Sequence, residues 1–122
     1  MVIVAEDIES EPLAALILNK LKGHLNVCCV KTPGFGGNRK NQLEDIGILT
    51  NAEVLDTEIG MTFESVDTNI LGEAKKMVIN KDDTIIIDGS GDKKVIEDRI
   101  TSIREEMDST TSEYDKEKLQ ER

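Results

Sequence analysis

The chain has 122 residues and a formal net charge of −10, from 25 acidic and 15 basic side chains. That length suits one ordinary domain, and 38% hydrophobic with 33% charged residues is globular though polar. The acidic balance argues against nucleic acid and anionic membrane surfaces; no apolar run approaches the roughly 18 residues of a transmembrane helix; and 2% aromatics with no Trp leaves the core to aliphatic side chains.

Val2 to Ala5 is apolar and largely β-branched, and reads as a buried strand. Glu6, Asp7 and Glu9 crowd the connection after it. Ser10 is the expected N-cap of a helix that tolerates Pro12 in its first turn. Leu13, Leu16, Ile17, Leu18 and Leu21 make that helix apolar around most of its circumference, and Gly23 is its expected stop. Val27 to Val30 (VCCV) reads as a second buried strand. Its neighbours Cys28 and Cys29 point to opposite faces, so the reading is two reduced structural thiols in a reducing compartment. The opening MVIVAED has the wrong make-up for an export or transit sequence.

Pro33-Gly34-Phe35-Gly36-Gly37 breaks the pattern. A helix is predicted from Asn38 to Leu49, with Leu43, Ile46 and Leu49 on one face; Gly47 weakens it by about 1 kcal/mol relative to Ala. Glu53 to Leu55 reads as a short strand, and Ile59 to Ser65 has no decisive period. Lys75 to Ile79 and Thr84 to Ile87, joined by Asn80-Lys81-Asp82-Asp83, predict a β-hairpin that Gly89-Ser90-Gly91 ends. Asp92 then caps a helix whose Ile96, Ile100, Ile103 and Met107 form a narrow apolar stripe, interrupted at Asp108 to Thr111. Ser112 is the N-cap of a last, charged helix, too polar to stand alone and expected to continue beyond Arg122. Strands and helices mix without repeats, so the class is α/β or α+β.

Four features are weighed as sites. Gly34 to Arg39 follows a strand and opens a helix, the context of an anion cradle, but it matches neither a Walker loop nor G-x-G-x-x-G, because Arg39 holds the third glycine position. Gly89 and Gly91 fail in the same way at Lys94. Structural turns are preferred in both places. His24 lacks a triad-like context, and the carboxylates have no diagnostic spacing, so solvated surface charge is their default. The helix from Leu13 to Leu21 is different. Its apolar arc is wide enough for Leu13, Ile17 and Leu18 to lie outside the stripe that packs on a core. Composition leaves open whether that arc binds apolar partners or is buried on both sides by the chain.

Four colinear blocks, VIVAEDIESEPLAALILNKLKG, VKTPGFGGNRKNQLEDIGILT, INKDDTIIIDGSGDK and TTSEYDKEKLQER, together resemble a group I chaperonin of the GroEL type. GNRKNQLEDI and TTSEYDKEKLQER look closer to the mitochondrial branch than the bacterial one. The resemblance implies a fragment: an α/β apical-domain-like layered sheet flanked by helices, incomplete at its N-terminal side. Residues 1–111 would be partial apical domain, and 112–122 would start an intermediate-domain helix. The implied function is the polypeptide-binding part of an ATP-dependent folding machine. Leu13, Ile17 and Leu18 fall where the family holds non-native polypeptide and the mobile loop of its GroES-type co-chaperonin, with Glu11, Asn19 and Lys22 at polar contact positions. This favours an exposed arc. ATP and magnesium are implied for an equatorial domain outside this stretch, with no cofactor here, and the whole protein is implied to be a homo-oligomeric ring. The mitochondrial matrix is the implied location, with a bacterial or other organellar compartment as the alternative. The alternative function is a small phosphate- or nucleotide-binding enzyme using Gly34 to Arg39. A third reading is that cutting a domain part-way has merely exposed core. Ser10, Pro12, Gly37, Gly47 and Asn51 depart from the family's usual Gly, Ala, Asp, Ala and Gly, and losing Asp at position 37 predicts a weaker helix start.

Overall fold

A run of β-branched residues favours extended backbone, and in the computed structural model, which describes residues 1–122, β1 (Val2–Ala5) is such a run. It pairs in parallel with β2 (Cys28–Lys31), in register from Val2↔Cys28 to Ala5↔Lys31. Parallel neighbours need a crossover, and α1 (Ser10–Leu21) supplies it. The chain forms two compact units, Met1–Leu43 and Glu44–Arg122, with the division inside α2 (Gly36–Thr50).

In the first unit β1 and β2 are half-buried rather than buried, except exposed Lys31; the covered residues are Val27, just before β2, and Thr32, just after it. Cys28 and Cys29 are free, half-buried thiols. Helix α1 begins one residue earlier than predicted. Glu9 takes the N-cap position without a side-chain bond, so Ser10 is already helical. At the other end Gly23 adopts φ +73°, its N–H reaches the Lys20 carbonyl at 3.1 Å, and the His24 N–H reaches the Asn19 carbonyl at 3.0 Å. These two bonds form a Schellman stop. Helix α2 starts at Gly36, so position 37 lies inside the first turn. An Asp there would act on the helix dipole rather than as the N-cap.

In the second unit β3 (Ala74–Ile79) and β4 (Thr84–Gly89) form the predicted antiparallel hairpin, and the Asn80 N–H closes its loop on the Asp83 carbonyl at 2.8 Å. The described sheets are thus two separate two-stranded ladders within a mixed α/β fold. The expected strand at Glu53 to Leu55 is absent; one bond, from the Glu53 N–H to the Ile70 carbonyl at 2.9 Å, ties that extended stretch down. Three short 3-10 turns, Thr57–Ile59, Phe63–Ser65 and Thr68–Ile70, fill the ambiguous region. Asp92 caps α3 (Lys93–Ser109) by accepting from the N–H groups of Lys94 and Val95, and Ser112 caps α4 (Glu113–Glu121) by accepting from Asp115. Helix α3 runs through Asp108, beyond the predicted break, and ends at Thr110.

The hairpin's end meets the last turn of α2 backbone to backbone. The Gly91 N–H donates to the Leu49 carbonyl at 3.0 Å, the Glu73 N–H to the Thr50 carbonyl at 2.9 Å, and the Ser90 hydroxyl to the same Thr50 carbonyl at 2.7 Å. A Cβ on Gly89 would sit 2.2 Å from the Leu49 oxygen, one on Gly91 2.1 Å from the Ile48 oxygen, and one on Gly72 2.5 Å from the Thr50 oxygen. At Gly47 the demand is milder: a Cβ there would lie 2.9 Å from the Ala52 oxygen, which a small backbone shift relieves.

Little is fully covered. Val27 and Leu119 are the buried hydrophobics, at 7% and 8% exposure. The chain exposes 9325 Å², whereas even two separate compact bodies of this total mass would expose only about 7,800 Å². Surface is therefore left open within the units themselves, and Leu21, Phe35, Ile59 and Phe63 are among the large hydrophobic side chains that lie exposed.

Gly91→Ala forces a methyl against a carbonyl oxygen and is expected to destabilise the second unit by about 2 kcal/mol or more. Gly37→Ala, with nothing within 4 Å of its Cβ, is expected to be neutral or to stabilise by up to about 1 kcal/mol. Urea melts of the two variants check the contrast; equal shifts would refute the packing argument.

Candidate functional site

Helix α1 buries none of its residues. Its half-buried side carries Leu13 and Leu16. At about 100° per residue, Ile17, Leu21, Ala14 and Leu18 follow one another round an adjoining arc of roughly 100°. That arc faces water: Ile17 is 50% exposed, Leu18 51% and Leu21 80%. Glu11 and Lys22 border it beyond Leu18 and are exposed. Asn19 is exposed too, but its side-chain amide is tied back to the Ala15 carbonyl at 2.8 Å. Of the aliphatic residues picked from the sequence, Ile17 and Leu18 lie in the open arc, and Leu13 sits at its margin. Leu21 was missed. Its signal was its place one turn after Ile17 on a helix with more leucines than one packing stripe uses.

The glycine-rich loop before α2 turns through left-handed Gly34 and Gly36, at φ +83° and +51°. The Arg39 Nε donates to the Gly34 carbonyl at 3.1 Å, and its Nη1 is bonded to the Glu6 carboxylate. The one cation at an anion cradle's expected place is thus engaged within the chain, and a carboxylate stands beside it. Gly89-Ser90-Gly91 is occupied in holding α2. His24 is exposed. No group of three His, Cys, Asp or Glu side chains is placed to hold a metal ion, and no helix is long and apolar enough to cross a membrane.

One carboxylate departs from the expected solvated charge. Asp45, on α2, accepts from the Arg99 Nε at 2.8 Å and from the Arg122 Nε and Nη2 at 2.8 and 3.0 Å. The Arg122 side chain is only 5% exposed. Arg99 also reaches Glu44, at 3.3 Å. Burial by itself would raise the Asp45 carboxyl, but the hydrogen bonds from Arg122 and Arg99 outweigh it and hold it below the usual carboxylate range. The sequence carried no signal for this cluster, because its partners lie 54 and 77 residues from Asp45.

Comparison with known proteins adds the family. No family model matches the chain. Over all 122 residues it is 56% identical to chaperonin CPN60-1, mitochondrial, of Cucurbita maxima, 56% identical to chaperonin CPN60-2, mitochondrial, of Zea mays, and 55% identical to chaperonin CPN60, mitochondrial, of Arabidopsis thaliana. It spans 21% of the length of each of these relatives. Unbroken similarity of this size defines the class as chaperonin. The chain belongs to the group I chaperonin family, in its mitochondrial branch, and its localisation is accordingly mitochondrial.

The Asp45 cluster gives a prediction with a definite sign. A carboxyl whose folded value is depressed contributes stability that is complete above the ordinary carboxylate pKa, near 3.9. That contribution is lost as pH falls through the lower folded value. Wild type is expected to exceed Asp45→Asn in stability at pH 7 by about 1 kcal/mol, modest because solvent still reaches the site. The gap should close below about pH 4. Thermal melts of both proteins from pH 7 to pH 2 check this; a gap that persists at pH 2 would refute it.

Proposed function

We propose that the chain is the polypeptide-binding part of an ATP-dependent protein-folding chaperonin. One observation carries the reading: α1 buries no residue and offers Ile17, Leu18 and Leu21 to solvent as one aliphatic arc. Aliphatic side chains bind by releasing water and by dispersion, neither of which demands a hydrogen-bond pattern. Such a face accepts apolar segments of many sequences. Folded proteins hide those segments, so the face selects non-native ones. Leu13, Ile17 and Leu18 supply the contact, Leu21 widens it, and Glu11, Asn19 and Lys22 form the polar rim.

In this reading the same surface takes the mobile loop of a GroES-type co-chaperonin, which competes with the client and releases it. Residues 1–111 are partial apical domain, and 112–122 begin the intermediate domain. The whole protein is a homo-oligomeric ring in the mitochondrial matrix, with ATP and magnesium bound outside these residues and no cofactor held within them. The rival reading, an enzyme with a phosphate loop at Gly34 to Arg39, is weakened by the engagement of Arg39 and by the Glu6 carboxylate beside it, which disfavours an anion.

Anisotropy of a labelled, reduced and alkylated polypeptide titrated with this chain tests the reading. Ile17→Glu and Leu18→Glu are each expected to weaken binding tenfold or more. Because both positions are exposed, the melts should stay within about 0.5 kcal/mol of wild type. Undiminished binding by a folded variant would overturn the assignment of this face. Calorimetry with ATP is expected to give no micromolar binding; such binding would favour the enzyme.

A further inference from the structure

We propose that the loop from Glu53 to Ile70 is a second docking surface, fitted to a cationic amphipathic segment of another protein, a stretch with Lys or Arg set among aliphatic residues. The feet of the loop are closed. The Glu53 N–H reaches the Ile70 carbonyl at 2.9 Å, and just outside them the Glu73 N–H reaches the Thr50 carbonyl at 2.9 Å. Loops this long with closed feet are uncommon, and they carry function more often than short connections do. This one holds its shape by local polar bonds. Asp56 accepts from the Glu58 N–H at 2.8 Å, Asp67 from the Asn69 N–H at 2.7 Å, and the Ser65 hydroxyl from the Thr62 N–H at 3.2 Å. None of the residues in its three 3-10 turns is buried.

Because polar bonds supply the order, the loop's large apolar side chains are left over for contact. Ile59 is 73% exposed and Phe63 80%. Four residues of chain span at most about 14 Å, so one bound segment can touch both. Apolar side chains raised together on an ordered loop mark a contact surface. Charge then decides the partner. From Asn51 to Glu73 the sequence holds six carboxylates and no Lys, Arg or His. Glu64, next to Phe63, is exposed. Such a border repels acidic segments, and a neutral apolar segment gains only the release of water. A Lys or Arg side chain gains more. Its methylene stem lies along Ile59 and Phe63, its charge meets the carboxylates, and the face of the Phe63 ring attracts the same cation. The α1 arc lacks this bias, because a carboxylate and an ammonium, Glu11 and Lys22, border it together.

Anisotropy titrations of the whole chain in a Leu18→Glu background, which disables the α1 arc and so separates the two surfaces, test this. Two labelled peptides share the same leucines and carry either Lys or Glu at their polar positions. The lysine peptide is expected to bind tenfold or more tighter than the glutamate peptide. Ile59→Ser combined with Phe63→Ser is expected to weaken the lysine peptide tenfold or more, and Glu64→Lys fivefold or more. All three positions are exposed, so the melting midpoints are expected to stay at that of the background. Equal binding of the two peptides would overturn the proposal. So would undiminished lysine-peptide binding by the Ile59→Ser, Phe63→Ser variant or by Glu64→Lys, because general attraction to an acidic chain would then explain it. Sedimentation that shows self-association abolished by Ile59→Ser with Phe63→Ser would overturn it as well, because a second copy would then be the occupant.

Discussion

The second unit depends on one constraint: the last turn of α2 must be approached by backbone rather than by side chains. The carbonyls of Ile48, Leu49 and Thr50 lie where Cβ atoms of residues 72, 89 and 91 would otherwise be, and two of them accept bonds from Glu73, Ser90 and Gly91. With so little side-chain burial available, these close contacts fix the hairpin, and the hairpin's exit fixes the start of α3 at Asp92. The same constraint accounts for a motif that otherwise invites a ligand. Gly89-Ser90-Gly91 is glycine-rich because a helix end sits on it.

The first unit follows a different logic. Its parallel pair β1–β2 and crossover α1 form a minimal βαβ arrangement, and parallel strands ordinarily lie under cover on both faces. Here they are only half-covered, and α1 leaves a wide aliphatic arc in water. An acidic, strongly charged chain keeps such an arc soluble, because net charge opposes association. The scarcity of aromatic residues fits as well. A face of flexible aliphatic side chains adapts to varied partners more readily than one of large rigid rings, which demand matching pockets.

The two ion clusters show how position sets the role of a charge. Arg39 and Glu6 draw together the loop ahead of α2 and the connection after β1. Asp45 gathers two arginines from the far end of the chain, and these hold its carboxyl low against the effect of burial. Both use guanidinium groups, whose several donors let one side chain bind a carboxylate and a second acceptor together. Lys31 and Lys75, by contrast, make looser exposed pairs with Asp7 and Asp88, at 3.6 and 3.8 Å.

The sequence by itself determined every element with a short-range signal. Gly23 stops α1, Asp92 and Ser112 cap their helices, and the two apolar runs flanking Asn80 to Asp83 make the hairpin, because each signal acts within a few residues. It also set the excess of aliphatic residues on α1 and, through four colinear blocks, the family. Element edges slipped where two neighbouring residues could serve, as at Glu9 and Ser10. A strand at Glu53 to Leu55 did not form, because the sheet partner that would define it is absent and a single bond to Ile70 suffices. Only the tertiary structure decided which side of α1 stays wet, that Leu21 belongs to the open arc, that Gly89 and Gly91 are there for close approach, and that Asp45 is bridged rather than solvated. Those outcomes turn on contacts between residues distant in sequence, and no local pattern of polarity or spacing encodes which distant groups will meet.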